Sequence, residues 1–270
     1  MRPREDQRET HTTAHRLVNG ATFETIREGK LVLLTALVLV QLGSSCVAWA
    51  WNLTGHRSIA LDALTALPRP MREALTPHAS ALLAGLLEPD FNRLVSHKIP
   101  IISLRGTAPP PRSEAADAFE RFASGAQEMI RLGRDLDAVL FVVGQATHFA
   151  QDLNQPLHAA WGETRAEHHE VEDQMLYRSW QKDHVYRGFR LVSNYSCFAH
   201  EIAENSSRHA RALFVDRDIT RVTEIAWDQA VTDTANLWQS IFWRALGPAR
   251  ASHMYGIPEP IAEAGNGGSC

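Results

Sequence analysis

Cysteine is scarce in this chain: three in 270 residues, at positions 46, 197 and 270. That permits one disulfide at most and excludes a metal site built on thiolates. Strand signals are equally thin, no internal repeat is visible, and acidic and basic residues nearly balance, giving a formal net charge of −4. A balance that even excludes neither a nucleic acid nor a lipid as substrate, because bound cations would reverse the local field. Long apolar runs are limited to one, LVLLTALVLVQLG at 31–43, which falls short of the roughly 20 residues a membrane span needs. It follows Arg27 and Lys30 and leads to Ala48-Trp49-Ala50, with small residues at the two positions a signal peptidase reads. Residues 1–50 are expected to be a secretory signal with a long charged n-region, cut before Trp51. The mature protein is then secreted or periplasmic. A retained membrane anchor is the alternative.

What the chain has in quantity is helical periodicity. GHRSIALDALTAL (55–67) sets Ile59, Leu61, Leu64 and Leu67 near one face, and Pro68 and Pro70 end it. A second helical stretch covers 71–87, with a break expected at Pro77. Residues 88–113 show no period and read as a long loop, the kind that in a compact domain is functional or disordered. Ser113 is a good N-cap for a helix running to about Leu132. Residues 134–153 are apolar almost all round, the mark of a buried central helix. Further helices are expected at about 165–182, 196–214 and 218–246, the last with Ile225, Trp238, Ile241, Phe242 and Trp243 as its core face. The reading is one all-α domain over 51–250, followed by a tail at 251–270.

Histidine is the other surplus, 13 residues, and it falls in patterns. On the buried helix, His148 and Asp152 stand four apart, hence on one face and one turn from each other. Pro156 ends that helix and brings His158 back nearby. Three polar, ligand-type groups on an apolar element are costly unless satisfied, either by a metal or by a His–Asp hydrogen bond with ordered water. HHEVED repeats the device: His168 and Glu172 share a face, and the shifted pair His169 and Asp173 points about 100° away. A solvated surface face is the alternative there. Zinc favours this mixture of imidazole and carboxylate. By itself, Trp51 reads as a core anchor.

Taken together, His-x-x-x-Asp, then Pro-Leu-His, then His-x-x-x-Glu after a short gap resembles the zinc-dependent phospholipase C and single-strand nuclease superfamily. The resemblance covers about residues 51–175. It implies a multi-helix bundle around a trinuclear zinc site in a secreted phosphodiesterase. It also implies a mature N-terminal tryptophan whose α-amino group and carbonyl oxygen bind a metal, here Trp51 with His56 and Asp152. The resemblance gives a second zinc to His148, Asp152, Asp90 and His97, with Asp152 bridging, and a third to His158, His168 and Glu172. Asp90, in GLLEPDF, would serve as general base or orient the attacking water. His97 is the assignment for which a structural histidine is the alternative. The other histidines, His78, His184, His200, His209 and His253, match nothing in the pattern.

Substrate choice stays divided at this level. DLNQPLHAA, Glu172 rather than Asp, and Phe91 facing a quaternary ammonium head group resemble the phospholipase branch. The five-residue spacing from Trp51 to His56 resembles the nuclease branch, where Tyr177 or Trp180 would stack on bases. The chain is expected to be too short for an added lipid-binding β domain. The partner is then a phospholipid at a membrane surface or a single-stranded nucleic acid, with no obligate protein partner. A secreted helical zinc-binding protein without catalysis is the third reading.

Overall fold

A computed structural model describes residues 51–91, 95–110, 113–179 and 184–261, with the side chains of 177–179 excepted. The expected signal at 1–50, Trp180, the Tyr177 side chain and the last nine residues lie outside the described residues. Nine α-helices occur among those described: α1 Asn52–Ala66, α2 Arg69–Leu75, α3 Ala79–Phe91, α4 Ala115–Arg131, α5 Leu136–Leu153, α6 Arg165–Ser179, α7 Tyr195–Phe214, α8 Ile219–Leu246 and α9 Pro248–Tyr255. All belong to one compact unit, Ala48–Cys270. None is long and apolar enough to cross a membrane. The fold is all-α.

α5 is the axis. Asp135 caps it, its Oδ1 accepting from the amides of Asp137 and Ala138 at 3.0 and 3.2 Å, so two otherwise orphaned N–H groups are satisfied. From Val139 onwards nearly every side chain is buried, against α3 and α4 on one side and α8 on another. The one hydroxyl in this stretch is also satisfied: Thr147 donates to Val143 O at 2.7 Å and accepts from the Trp238 indole at 2.7 Å. Glycines at 85 and 144 let α3 and α5 touch backbone to backbone.

The region expected to be a loop is partly ordered. α3 runs through Pro89 to Phe91, because proline near a helix end lacks only one ladder bond. Further on, Ile99, Ile101 and Leu104 donate backbone hydrogen bonds to the carbonyls of His158, Ala159 and Trp161 at 3.0, 2.9 and 2.8 Å. A two-residue parallel bridge, β1 Ile102–Ser103 against β2 Ala160–Trp161, results. Neither strand is long enough to leave an alternation in the sequence. The 71–87 stretch is broken by a 3-10 turn at Thr76–His78, at the expected proline.

Three expectations are corrected in detail. Leu61 is exposed, because α1 buries Ile59, Ala60, Ala63 and Leu64 instead. Ile225 is only half-buried, and Val222, Ala226 and Trp227 take its place on the core face of α8. Residues 251–255 are not tail: they complete α9, where Ala251 and Tyr255 pack on the core.

Candidate metal centre

Asp152 is the hub of the site. Its side chain is fully buried on α5, Oδ1 lying 3.1 Å from His56 Nε2 and Oδ2 3.1 Å from His148 Nε2 and 3.0 Å from His97 Nδ1. α1 delivers His56, and the imidazoles of His56 and His148 stack at 4.5 Å between centroids. Asp90, at the end of α3, places Oδ1 3.6 Å from His148 Nε2 and 3.8 Å from His97 Nδ1.

The rings are aimed by their other nitrogens. His56 Nδ1 sits 2.7 Å from Gln151 Oε1, and His148 Nδ1 sits 2.9 Å from Leu86 O. Both partners are acceptors, so each neutral imidazole carries its proton there and turns a lone pair inward. Yet His56 Nε2, both Asp152 oxygens and Asp90 Oδ2 are buried without a hydrogen bond: close approach without alignment. Inward lone pairs around an unsatisfied carboxylate are what a cation would satisfy.

The third group lies beside the first two. His158, on a 3-10 turn (Pro156–Ala159), holds Nδ1 3.2 Å from His97 O, and its Nε2 is 3.7 Å from Glu172 Oε1. On α6, His168 Nε2 is 2.7 Å from the same Glu172 oxygen, one turn away. α6 begins with a reciprocal cap: Thr164 Oγ1 accepts from the Glu167 amide at 3.3 Å, and Glu167 Oε2 accepts from the Thr164 amide at 2.8 Å. That cap fixes where the first turn, and so His168, begins. His169 is 29% exposed at its side chain and reaches only the far oxygen of Glu172, while Asp173 faces solvent.

Electrostatics follow this layout. Burial would raise Asp152, but the surrounding imidazoles, His148 first, outweigh it and hold the carboxyl well below its usual range. Burial dominates at Asp90, raising it, and at His158, lowering it. Glu163, beside His168, would be raised by burial, yet the His168 contact and the Lys98 charge bring it down to about 2.

Three sets of ligand atoms therefore converge, each set within 4.8 Å: His56, His148 and Asp152; Asp90, His97 and His148; His158, His168 and Glu172. Each can hold a metal ion. A cleft of about 410 Å³ is lined by Asp90 and His97 of the second group, by His158, His168 and Glu172 of the third, and by Lys98 among others, while His56, His148 and Asp152 are fully buried and do not line it. Phe91 is 70% exposed and does not line the cleft. Trp51 is 2% exposed, its indole donating to Gln151 O at 2.8 Å and meeting Trp227 edge to face, the contacts of a core anchor. Sequence reasoning missed Gln151, Lys98 and Glu163. Gln151 adjoins Asp152 and Glu163 precedes His168 by five, but neither spacing is a ligand signature. The Leu86 carbonyl leaves no signal at all.

No family model matches this chain, and no curated protein matches it. Among solved structures, the alpha toxin of Clostridium absonum is similar with a TM-score of 0.50 and 15% identity, covering 72% of this chain and 64% of that one. The alpha-toxin from an avian strain of Clostridium perfringens is similar with a TM-score of 0.49 and 16% identity, covering 76% of this chain and 64% of that one. The likeness thus spans less than two thirds of either toxin. At this identity it is a likeness of fold, and it places the chain's all-α architecture beside that of the Clostridium absonum toxin.

Proposed function

We propose that this chain is a secreted zinc-dependent phosphodiesterase, and specifically a phospholipase C that releases diacylglycerol and a phosphorylated head group. One observation carries the reading: three imidazole–carboxylate groups form in one chain, Asp152 facing His56 on one oxygen and His97 and His148 on the other, and a cleft is lined by Asp90, His97, His158, His168 and Glu172. Trp51, through its amino group, His56 and Asp152 would hold one ion, Asp90, His97, His148 and Asp152 a second, and His158, His168 and Glu172 a third; His148 Nδ1 is taken by Leu86 O, so its one free nitrogen would serve a single ion. Zinc at such sites supplies Lewis acidity toward a phosphoryl oxygen and makes a nucleophile available at neutral pH. Asp90 is the residue to receive a proton, since it lines the cleft, one oxygen is unpartnered, and burial raises its carboxyl toward a base's working range.

Glu172 in place of aspartate and the DLNQPLHAA segment favour the phospholipase branch. The fold likeness to a toxin adds weight to the fold only. The short Trp51-to-His56 spacing favours the nuclease reading. The test is to offer mature protein phosphatidylcholine, phosphatidylethanolamine, single-stranded DNA and bis-p-nitrophenyl phosphate side by side. Phosphorylated head-group release, abolished by chelator and restored by zinc, is expected. Cleavage of DNA alone would move the chain to the nuclease branch, and no turnover of any ester would leave a zinc-binding protein.

A further inference from the structure

Glu163 lies between β2 and α6, directly before the Thr164 cap, and belongs to none of the three ligand groups. Its side chain is only 4% exposed. Oε1 receives Lys98 Nζ and stands 3.1 Å from His168 Nδ1. Lys98 neighbours His97 on the segment whose backbone is bonded to His158–Trp161. One buried carboxylate thus joins the segment carrying His97 to the helix carrying His168.

The consequence for His168 is chemical. Both ring nitrogens of His168 face carboxylate oxygens, Glu172 at Nε2 and Glu163 at Nδ1, so a metal ion taking the Nε2 lone pair would leave the proton on Nδ1, where Glu163 accepts it. That lone pair faces Glu172 Oε1 at 2.7 Å, and His158 Nε2 faces the same oxygen at 3.7 Å with its own Nδ1 committed to His97 O. Three acceptors point at one place. Turning the His168 ring would break the contact with Glu163, and Lys98 keeps Glu163 from swinging out to solvent.

We propose that Glu163, anchored by Lys98, is the positioning residue that fixes the tautomer and ring orientation of His168 for metal binding at the His158–His168–Glu172 group. The assignment rests on the reading of that group as a metal site. Carboxylates behind metal-bound histidines change metal affinity by about 10–100-fold when removed, and an effect of that size is expected here at one ion.

The experiment is zinc titration against a competing chelator, with ¹⁵N NMR of the histidine rings, on the parent, Glu163→Ala, Glu163→Gln and Lys98→Met. For Glu163→Ala, one of three zinc ions should weaken by about 10–100-fold while the other two hold, and His168 should lose its single Nδ1–H tautomer. Glu163→Gln keeps an acceptor oxygen and should recover part of the affinity. Lys98→Met should fall between Glu163→Ala and the parent. Thermal unfolding of the metal-free forms separates this from misfolding: Glu163→Ala should unfold near the parent temperature. Equal zinc affinity in Glu163→Ala and parent, or parallel loss of all three ions with a lowered unfolding temperature, would overturn the assignment. A parent that binds three zinc ions but hydrolyses no ester removes the enzymatic reading and leaves this one intact; a parent that binds none removes both.

Discussion

Gly85 of α3 and Gly144 of α5 mark a crossing where a side chain of any size has no room. A Cβ on Gly85 would lie 1.8 Å from Phe141 O, and one on Gly144 would lie 2.2 Å from Leu82 O. Both obstacles are backbone, so neither can rotate away. The same crossing brings Leu86 O within 2.9 Å of His148 Nδ1, which aims the other nitrogen of that ring at Asp152. Packing and site geometry are therefore one constraint. Gly144→Ala must push the helices apart, and overpacking of this kind costs about 1–3 kcal/mol or more. A lower unfolding temperature for metal-free protein is expected, together with weaker zinc binding. Unchanged unfolding and unchanged binding would show that the helices do not meet this closely.

Asp152 should be the most damaging carboxylate to lose. His56 faces one of its oxygens, and His97 and His148 face the other, so two metal groups depend on one side chain. Asp152→Ala should lower bound zinc by about two ions and remove phosphodiester turnover, whereas Glu172→Ala should lower it by about one, in keeping with each residue's number of shared sites. Elemental analysis after gel filtration decides. Full metal content in Asp152→Ala would end its role as the shared ligand.

A sharper test contrasts neighbours on α6. His168 converges with His158 and Glu172, while His169 is partly exposed and contacts Arg165 Nε at 3.2 Å. His168→Ala should abolish turnover and release one zinc ion. His169→Ala should retain most of both. The reverse result would move the ligand pair by one residue, to His169 and Asp173, and would also withdraw Glu172 as an argument for phospholipids.

These sites were readable because helices impose strict spacing. His148 with Asp152, and His168 with Glu172, recur at four residues, and only one face of a helix serves both members of such a pair. The bundle was readable for the same reason, from α5, apolar almost all round, to the aromatic face of α8. What did not show was everything settled between segments. Lys98 meets Glu163 because the 97–104 segment pairs with 158–161 through main-chain hydrogen bonds, which no side-chain pattern encodes. Leu86 serves His148 through a carbonyl that any residue would provide. The crossing of α3 and α5 depends on Gly85 and Gly144 facing each other, and a glycine within a helix says nothing by itself about its partner.

A second acid outside the metal groups, partly buried, sets a last expectation. Asp233, on α8, accepts from Asn154 Nδ2 at 3.1 Å, just beyond the end of α5. Burial raises its carboxyl from 3.8 to about 6, and the single amide hydrogen bond does not offset that. Between these two values the folded chain holds a proton that the unfolded chain has released. Stability therefore falls as pH rises through that window, and the cost persists in full above it. Asp233→Asn keeps an oxygen for Asn154 and removes the ionisation. A shift of one pKa unit corresponds to about 1.4 kcal/mol, and since Asp233 retains some solvent contact, a net gain of about 1 kcal/mol at pH 7.5 is expected. In a domain of this size that is a rise of about 2–4 °C in Tm. At pH 4, where the folded acid is neutral and the unfolded one, with its value of 3.8, is only about half ionised, most of the gain should vanish. Metal-free protein and its Asp233→Asn variant, melted at both pH values, provide the comparison. An equal gain at pH 4 and pH 7.5 would show that packing, and not the ionised carboxylate, carries the effect.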